Sequence, residues 1–377
     1  MPNLFIVVNV DWFFLSHRKE IALAAQKDGY NVTIVTNNTG MKSVIEKLGL
    51  KVIDLPMSRS GKNIFEEMST LKFLYKLYKK EKPDIVHHVG LKTIFWGTLA
   101  AKLSKVTGVV NAISGLGIFF SEEKISFTSK IFIQILRFSH HRSNLAVIFQ
   151  NNEDKSLFLS NHIIKGSQSY MIKGSGVDLN QFCYTPEPVD GKIKVLLTAR
   201  MIQEKGIFIL RDAANLLKSE YKDKVQFLLC GGIDDNPNAI KEEELKAFCD
   251  DEYILWLGYR TDVLDLLKSS HIVGFPSYYK EGLPKSLIEA AAVGRPIITT
   301  NSIGCKETVI DGYNGFLIPI KNNELLADRL KKLFDDPKLR KSMGKNSRLL
   351  AEKDFSIENV IKKHLEIYKQ ILLCCIF

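Results

Sequence analysis

Leu4-Phe-Ile-Val-Val-Asn-Val is apolar at nearly every position, not at every second one. A strand of that kind buries both faces, which in a soluble protein means a parallel sheet covered by helices on either side. The next segments meet that demand. Asp11 to His17 reads as a turn, and Ile21 to Asp28 as a helix closed at Gly29 by a glycine C-cap. Asn31-Val-Thr-Ile-Val-Thr is the second strand, completing a βαβ unit. The first turn has no G-x-G-x-x-G, so nothing here marks a dinucleotide fold.

The alternation continues. Helical spacing runs from Asn63 to Glu81, carrying Lys72, Lys76, Lys79 and Lys80, with Lys82 just beyond. Strands are expected at Pro83 to Val89, Val109 to Ile113, Leu145 to Gln150 and briefly near Met171. Helices are expected at Phe95 to Leu103, Phe127 to Phe138 and Glu153 to Ser160, and Ser114 to Phe120 reads as a loop. Pro186 and Pro188 mark a linker near Phe182 to Asp190. A second series starts at Ile193-Lys-Val-Leu-Leu-Thr, and Ile357 to Leu373 is a long amphipathic helix. The fold class is therefore α/β, with two doubly wound Rossmann-like sheets over residues 1–180 and 181–356 and a terminal helix over 357–377. Ligands of such sheets bind outside the carboxyl ends of the strands, so residues just after strands are the candidates for chemistry.

Charge separates the halves. Residues 1–180 carry 23 Lys+Arg against 14 Asp+Glu, a net +9, while residues 181–377 carry 29 against 28. A basic half suits an anionic lipid surface or a phosphorylated partner, or it is solubility charge on solvated helix faces. No nucleic-acid motif appears, and no nucleic-acid partner is expected. The six cysteines form no C-x-x-C pair, so a reduced, cytosolic chain without a zinc or other metal site is expected. Met1 to Ser16 lacks a basic n-region and is broken by Asp11, so it does not read as a secretory signal. No apolar run reaches the ~20 residues that cross a bilayer. Cys374-Cys-Ile-Phe formally fits a prenylation box, but an apolar frayed end is the simpler reading.

The chemistry concentrates after the strands of the second series. Ser277-Tyr-Tyr-Lys-Glu-Gly-Leu-Pro-Lys-Ser-Leu-Ile-Glu joins an apolar strand to a helix. Its turn aims backbone N–H groups at one spot, which favours an anion. Glu281 lies beside the helix mouth and Glu289 about one turn inside it. Two carboxylates beside a phosphate-sized donor set suit a sugar nucleotide, although a capped helix with a solvated Glu289 would look the same. Arg200 and Lys205 follow the first strand of the series and could neutralise a diphosphate; alternatively Lys205 pairs with its neighbour Glu204.

Glu281-x7-Glu289 within E-G-L-P-K-S-L-I-E-A-A-A-V-G-R-P-I-I-T-T, followed by D-G-Y-N-G-F-L-I-P, resembles the donor-binding signature of the retaining glycosyltransferases of family 4, which have the GT-B fold. The first half, with V-D-W-F-F-L-S-H-R, V-H-H-V-x-L-K and V-V-N-A-I-S-G-L-G, resembles a bacterial subgroup that extends polyprenyl-diphosphate-linked glycans for O-antigen, capsule or protein glycosylation. The resemblance implies two domains facing a cleft, with the terminal helix crossing back to the first. It implies a nucleotide-sugar donor, UDP by default, and a lipid-linked saccharide acceptor at the cytoplasmic membrane face. It gives the diphosphate to Arg200 and Lys205, donor-sugar hydroxyls to Glu281 and the ribose to Glu289. Gly282, Leu283 and Pro284 line that turn, and Gly231, Tyr259 and Arg260 border the donor. In the first half, Asp11, His17, Arg18, Lys92, Ser114 and Gly115 are expected at the acceptor, and His17 or His88 to assist catalysis. No cofactor is implied. The first turn lacks the Gly-Gly pair of many members, which leaves it no expected phosphate role. A sugar-nucleotide epimerase of the same fold, and a non-catalytic two-domain sugar-binding protein, are the competing readings.

Overall fold

The computed structural model describes residues 1–57, 64–116, 127–234 and 238–373. Residues 117–120 of the Ser114 loop and the terminal Cys374-Cys375 pair lie outside the described residues. The chain divides into two units, Met1–Ser175 with Ile357–Phe377, and Gly176–Ser356.

The first unit starts with β1 (Asn3–Val10), α1 (Asp11–His17), α2 (Lys19–Lys27), β2 (Asn31–Asn37), α3 (Lys42–Glu46) and β3 (Lys51–Asp54). It continues through α4 (Ile64–Glu81), β4 (Ile85–Val89), α5 (Leu91–Ser104), β5 (Gly108–Ala112) and α6 (Phe127–His140). β6 (Leu145–Phe149), α7 (Asn152–Ser160) and β7 (Ser169–Met171) finish the sheet. The seven strands are parallel in the order β3-β2-β1-β4-β5-β6-β7. β4, β5 and β6 are buried at every position, as continuous apolar runs require.

The second unit holds β8 (Ile193–Thr198), α8 (Ile207–Tyr221), β9 (Val225–Cys230), α9 (Glu242–Phe248), β10 (Ile254–Trp256) and α10 (Val263–Lys268). β11 (Ile272–Phe275), α11 (Lys285–Val293), β12 (Ile297–Thr300), β13 (Gly315–Ile318), α12 (Asn323–Asp335) and α13 (Pro337–Asp354) follow. Its parallel sheet runs β10-β9-β8-β11-β12-β13. The last helix, α14 (Ile357–Leu373), belongs to the first unit. Its Ile357, Val360, Ile367, Tyr368 and Ile371 join the core formed by β1, β2 and α2.

One local expectation is corrected. Asp11 to His17 is a helix, not a turn. The Asp11 carboxylate opens it, accepting from Trp12 N at 2.8 Å. The same carboxylate binds the backbone N–H groups of Thr39 at 2.7 Å and Met41 at 2.9 Å, fastening the loop after β2.

Candidate active site at the switch point of the second sheet

In the second sheet the chain moves outward from β8 through β9 to β10, then returns to place β11 on the other side of β8. The gap between the carboxyl ends of β8 and β11 is the switch point, where neighbouring loops part and leave room for a ligand.

Here the two loops are fastened. The Glu204 carbonyl accepts from Ser277 Oγ at 3.1 Å, Tyr278 N at 2.9 Å and Tyr279 N at 3.1 Å. Gly206 permits this approach. Its φ is +81°, and a Cβ there would lie 2.2 Å from the Pro276 carbonyl oxygen. The consequence is an ion pair between Lys205 Nζ and Glu281 Oε1, from residues 76 positions apart. Their side chains are only 11% and 14% exposed, and the ammonium sits 5.4 Å from the ring centres of both Phe275 and Tyr279. Lys205 thus pairs with Glu281 and not with Glu204. Behind Glu281, a Cβ on Gly304 would lie 2.3 Å from Gly282 O, so the turn after β12 packs flush on the 281–282 turn. Buried Cys305 lies there; burial, then the Glu281 charge, pushes its thiol up to about 11.

Gly282, Leu283 and Pro284 are buried and lead into α11, with Pro284 at its cap. The first-turn N–H groups of α11 emerge beside Glu281. Glu289 is the fifth residue of α11, with Lys285 3.6 Å away. Burial raises its carboxyl above the ordinary range, opposed by the Lys285 ammonium.

Arg200 follows β8 and pairs through Nη1 with Asp234 Oδ2 at 2.8 Å. Gly231 follows β9, where a Cβ would fall 1.7 Å from the Ala199 carbonyl, so the β8 and β9 exits lie against each other. Tyr259, after β10, is 79% exposed and covers Gly232, whose added Cβ would lie 3.4 Å from Tyr259 Cβ. Arg260 is held by Asp262 through two bonds of 2.7 and 2.5 Å. Arg200, Lys205, Gly231, Tyr259, Arg260, Glu281 and Glu289 are thus spread across the exits of four adjacent strands. Asp234, Phe275, Tyr279 and Gly304 were not anticipated. They come from the exits of β9, β11 and β12, and the sequence alone places only Phe275 and Tyr279 near each other.

In the first unit the residues divide. His17 closes α1, half-buried, its ring stacked on Phe13 with centres 4.1 Å apart and its Nδ1 2.6 Å from Ser16 Oγ. Lys92 lies in the first turn of α5, where its Nζ is 2.6 Å from Glu67. Ser114 and Gly115 follow β5, half-buried, next to the β4 exit at Gly90.

Three expected groups are buried. Asp11 is fully buried, and four donors occupy its oxygens. Burial would raise its pKa, but the Thr39 hydroxyl and three backbone N–H groups outweigh that and lower it. Arg18 is buried, donating to His17 O and packed near His87, His364 and Tyr368; burial lowers it to about 10, with Tyr368 opposing.

His88 is also fully buried. Its Nδ1 meets Asn111 Oδ1 at 2.9 Å and its Nε2 meets Tyr78 Oη at 3.0 Å, while Asn111 donates on to His140 Nε2. Burial, against the Asn111 bond, holds it down at about 4. Gly97 exists to admit that ring, since a Cβ there would lie 2.3 Å from His88 Cδ2. All three side chains are packed within the first unit.

Comparison with known proteins places these sheets. Residues 4–151 match the family model Glycosyl transferase 4-like, and residues 186–350 match Glycosyl transferases group 1. The chain is 29% identical over 367 residues to the N,N'-diacetylbacillosaminyl-diphospho-undecaprenol alpha-1,3-N-acetylgalactosaminyltransferase of Campylobacter jejuni, covering 93% of both chains. It is 25% identical to the Escherichia coli UDP-Gal:alpha-D-GlcNAc-diphosphoundecaprenol alpha-1,3-galactosyltransferase, covering 90% of this chain and 89% of that one. In fold it is similar to a glycosyltransferase from Rickettsia africae, with a TM-score of 0.79, 23% identity and 98% of each chain covered. It is likewise similar to Anabaena HepE in complex with UDP, with a TM-score of 0.76, 16% identity and 98% and 100% covered.

Proposed function

Since the chain belongs to the GT-B glycosyltransferases, with a 4-like domain followed by a group 1 domain, we propose that it transfers a sugar, with retention, from UDP to a polyprenyl-diphosphate-linked saccharide. The names of the two relatives support the acceptor class and a galactose-type or N-acetylhexosamine donor. The observation that carries the reading is the Lys205–Glu281 pair at the switch point. It holds a cation for a diphosphate and a carboxylate for sugar hydroxyls within one hydrogen bond of each other.

In this reading Lys205 and Arg200 meet the diphosphate, whose charge grows as the sugar leaves, so their contacts strengthen toward the transition state. The α11 N-terminus adds N–H donors. Glu281 orients the sugar ring, Glu289 accepts from the ribose, and Gly231, Tyr259 and Arg260 border the base. The leaving phosphate oxygen takes the proton of the attacking hydroxyl on the same face, so no protein base is needed there. His17, Lys92, Ser114 and Gly115 are the acceptor-side candidates. The enzyme works at the cytoplasmic face of the membrane as a peripheral protein. Among the described residues no helix is long and apolar enough to cross a membrane, and the +9 of residues 1–180 supplies the attraction.

The test is transfer from a panel of UDP-sugars to a short-chain polyprenyl-diphosphate saccharide, with product mass and anomeric configuration read out. The expected product is one sugar longer and keeps the donor's configuration. An inverted product, or a glycosyl ester trapped on Glu281, overturns the mechanism. Free sugar with no elongation for any acceptor overturns the transfer reading.

A further inference from the structure

Between β4 and α14 the first unit buries a positive charge with no acid to meet it. Arg18, at the junction of α1 and α2, is 2% exposed. Among the described residues its guanidinium donates once, from Nη1 to the His17 carbonyl at 2.9 Å. Its Nε is buried and has no partner. The titratable groups facing it are His87 from β4 and His364 and Tyr368 from α14. Tyr30 stands behind Tyr368, with ring centres 5.8 Å apart, and His88 acts on His87 from the next position of β4. No carboxylate is among these groups. Burial lowers Arg18 only to about 10, so the guanidinium keeps its charge at neutral pH.

The two histidines lack partners as well. Their rings are 5.6 Å apart, and each residue is 2% exposed or less. His364 Nδ1 lies 2.7 Å from the Val360 carbonyl, which only accepts, so Nδ1 carries the hydrogen. His87 Nδ1 lies 2.7 Å from the Tyr368 hydroxyl. Both Nε2 atoms are buried and unpartnered. Three neighbouring residues thus each present a buried nitrogen that nothing in the fold satisfies. Buried polar groups are almost always bonded, and buried charges almost always paired.

Three kinds of ligand could satisfy these nitrogens. A metal ion would suit histidines whose Nδ1 atoms are held from behind. It would also add positive charge beside a buried guanidinium and find no acidic ligand. A water molecule could accept from Arg18 and donate to His364, but would leave the charge unpaired. A small anion serves the donors and cancels the charge. We propose that Arg18, His87 and His364 form a buried site for a monovalent halide, chloride being the common one, which ties α14 to β4 and the α1–α2 junction. The Tyr368 hydroxyl donates to His87 Nδ1, so His87 Nε2 carries its hydrogen and donates to the anion beside Arg18 Nε. His364 Nε2 holds a lone pair while the ring is neutral and becomes the third donor on taking a proton. Burial first, then the Arg18 charge, lowers His364 to about 3, and an anion offsets the second cause. Halide binding and proton uptake at His364 therefore favour each other. None of these residues is among those assigned to sugar transfer.

The experiment is thermal unfolding of the full chain in sodium chloride, bromide or gluconate, each at about 0.2 M, gluconate being too large to enter. Chloride and bromide should raise the melting temperature by roughly 3 °C over gluconate. The rise should be larger at pH 5 than at pH 7. Arg18→Gln removes the charge and keeps a donor. It should abolish the halide effect, and in gluconate it should be at least as stable as wild type, because the unpaired charge is gone. Lys363→Gln, on the exposed face of α14, should keep the full effect. Crystals of the wild-type protein grown in bromide should give an anomalous peak within hydrogen-bonding reach of Arg18 Nε and His87 Nε2. That measurement decides if Arg18→Gln fails to fold. Density there without an anomalous signal would make the ligand a water molecule and overturn the proposal. A halide effect kept by Arg18→Gln, or lost equally in Lys363→Gln, would mean unspecific ion binding and overturn it too. So would a rise that does not grow at pH 5, which takes His364 out of the site. An Arg18→Gln protein much less stable than wild type in gluconate would show that the guanidinium already has a partner, with the same result.

Discussion

Removing Glu281 should unsettle Lys205 before it affects any sugar. The two charges are in contact and about one-eighth exposed. At an effective dielectric near 20, opposite charges ~4 Å apart attract by about 4 kcal/mol, and desolvation takes back a large part of that. What remains as coupling should be about 1–3 kcal/mol. Glu281→Gln leaves the ammonium nearly buried between Phe275 and Tyr279 without a counter-charge, which costs about 3–5 kcal/mol. Lys205→Met fills similar volume without charge but strands the carboxylate. The double variant has neither charge, so it should be more stable than the sum of the single losses predicts. Urea unfolding of the four proteins, followed by Trp256 fluorescence, closes the cycle. Donor kcat/KM closes a second one: each single change should cost about 10²–10³-fold, and the double change much less than the product. Additivity within about 0.5 kcal/mol in both cycles would show that the pair is incidental and that the two residues act separately.

Gly206→Ala must place a Cβ against the Pro276 carbonyl at φ +81°, so about 2 kcal/mol of stability and most of the transfer activity should be lost; wild-type values of both would show that the loops are not fastened there. Burial holds His88 and His271 at about 4 and His140 and His364 at about 3, each against an ordinary 6.5. These rings stay neutral in the fold and charge in the unfolded chain, so stability is unaffected above pH 6.5 and falls below it, by up to about 1.4 kcal/mol per pH unit for each ring until the folded pKa is reached. Melting temperatures at pH 7, 6 and 5 measure this, and a flat profile counts against it. Transfer should survive EDTA, since Arg200 and Lys205 supply the positive charge; activity abolished by the chelator and restored by Mg²⁺ or Mn²⁺ would show a metal requirement.

The sheets were legible because strands such as Leu4–Val10 and Ile193–Thr198 are apolar throughout, and the second-sheet candidates were legible because they sit just past such runs. The same property hid the fate of His88. A strand buried on both faces shows no alternation, so nothing in Val86-His-His-Val tells whether a ring points to a ligand or into the core. Asp11 was placed in a turn for a related reason. Its partners Thr39 and Met41 lie 28 and 30 residues away, and a seven-residue helix shows too little period to be read. The Lys205–Glu281 pair depends on a carbonyl contact between two loops; its trace in the sequence is Gly206, and a glycine does not name the loop it meets.

The position of α14 bears on how the chain is made. The first unit needs residues at both ends of the sequence, and its core stays open until Ile367, Tyr368 and Ile371 exist. The second unit is continuous and can close as soon as residue 356 has left the ribosome. At a synthesis rate of roughly 5–20 residues per second, the stretch from 176 to 356 takes about 10–35 s to translate. For that interval β1, β2 and α2 wait with one apolar side uncovered. The first unit begun is the last one finished, since its core is completed by α14, the last helix to be made.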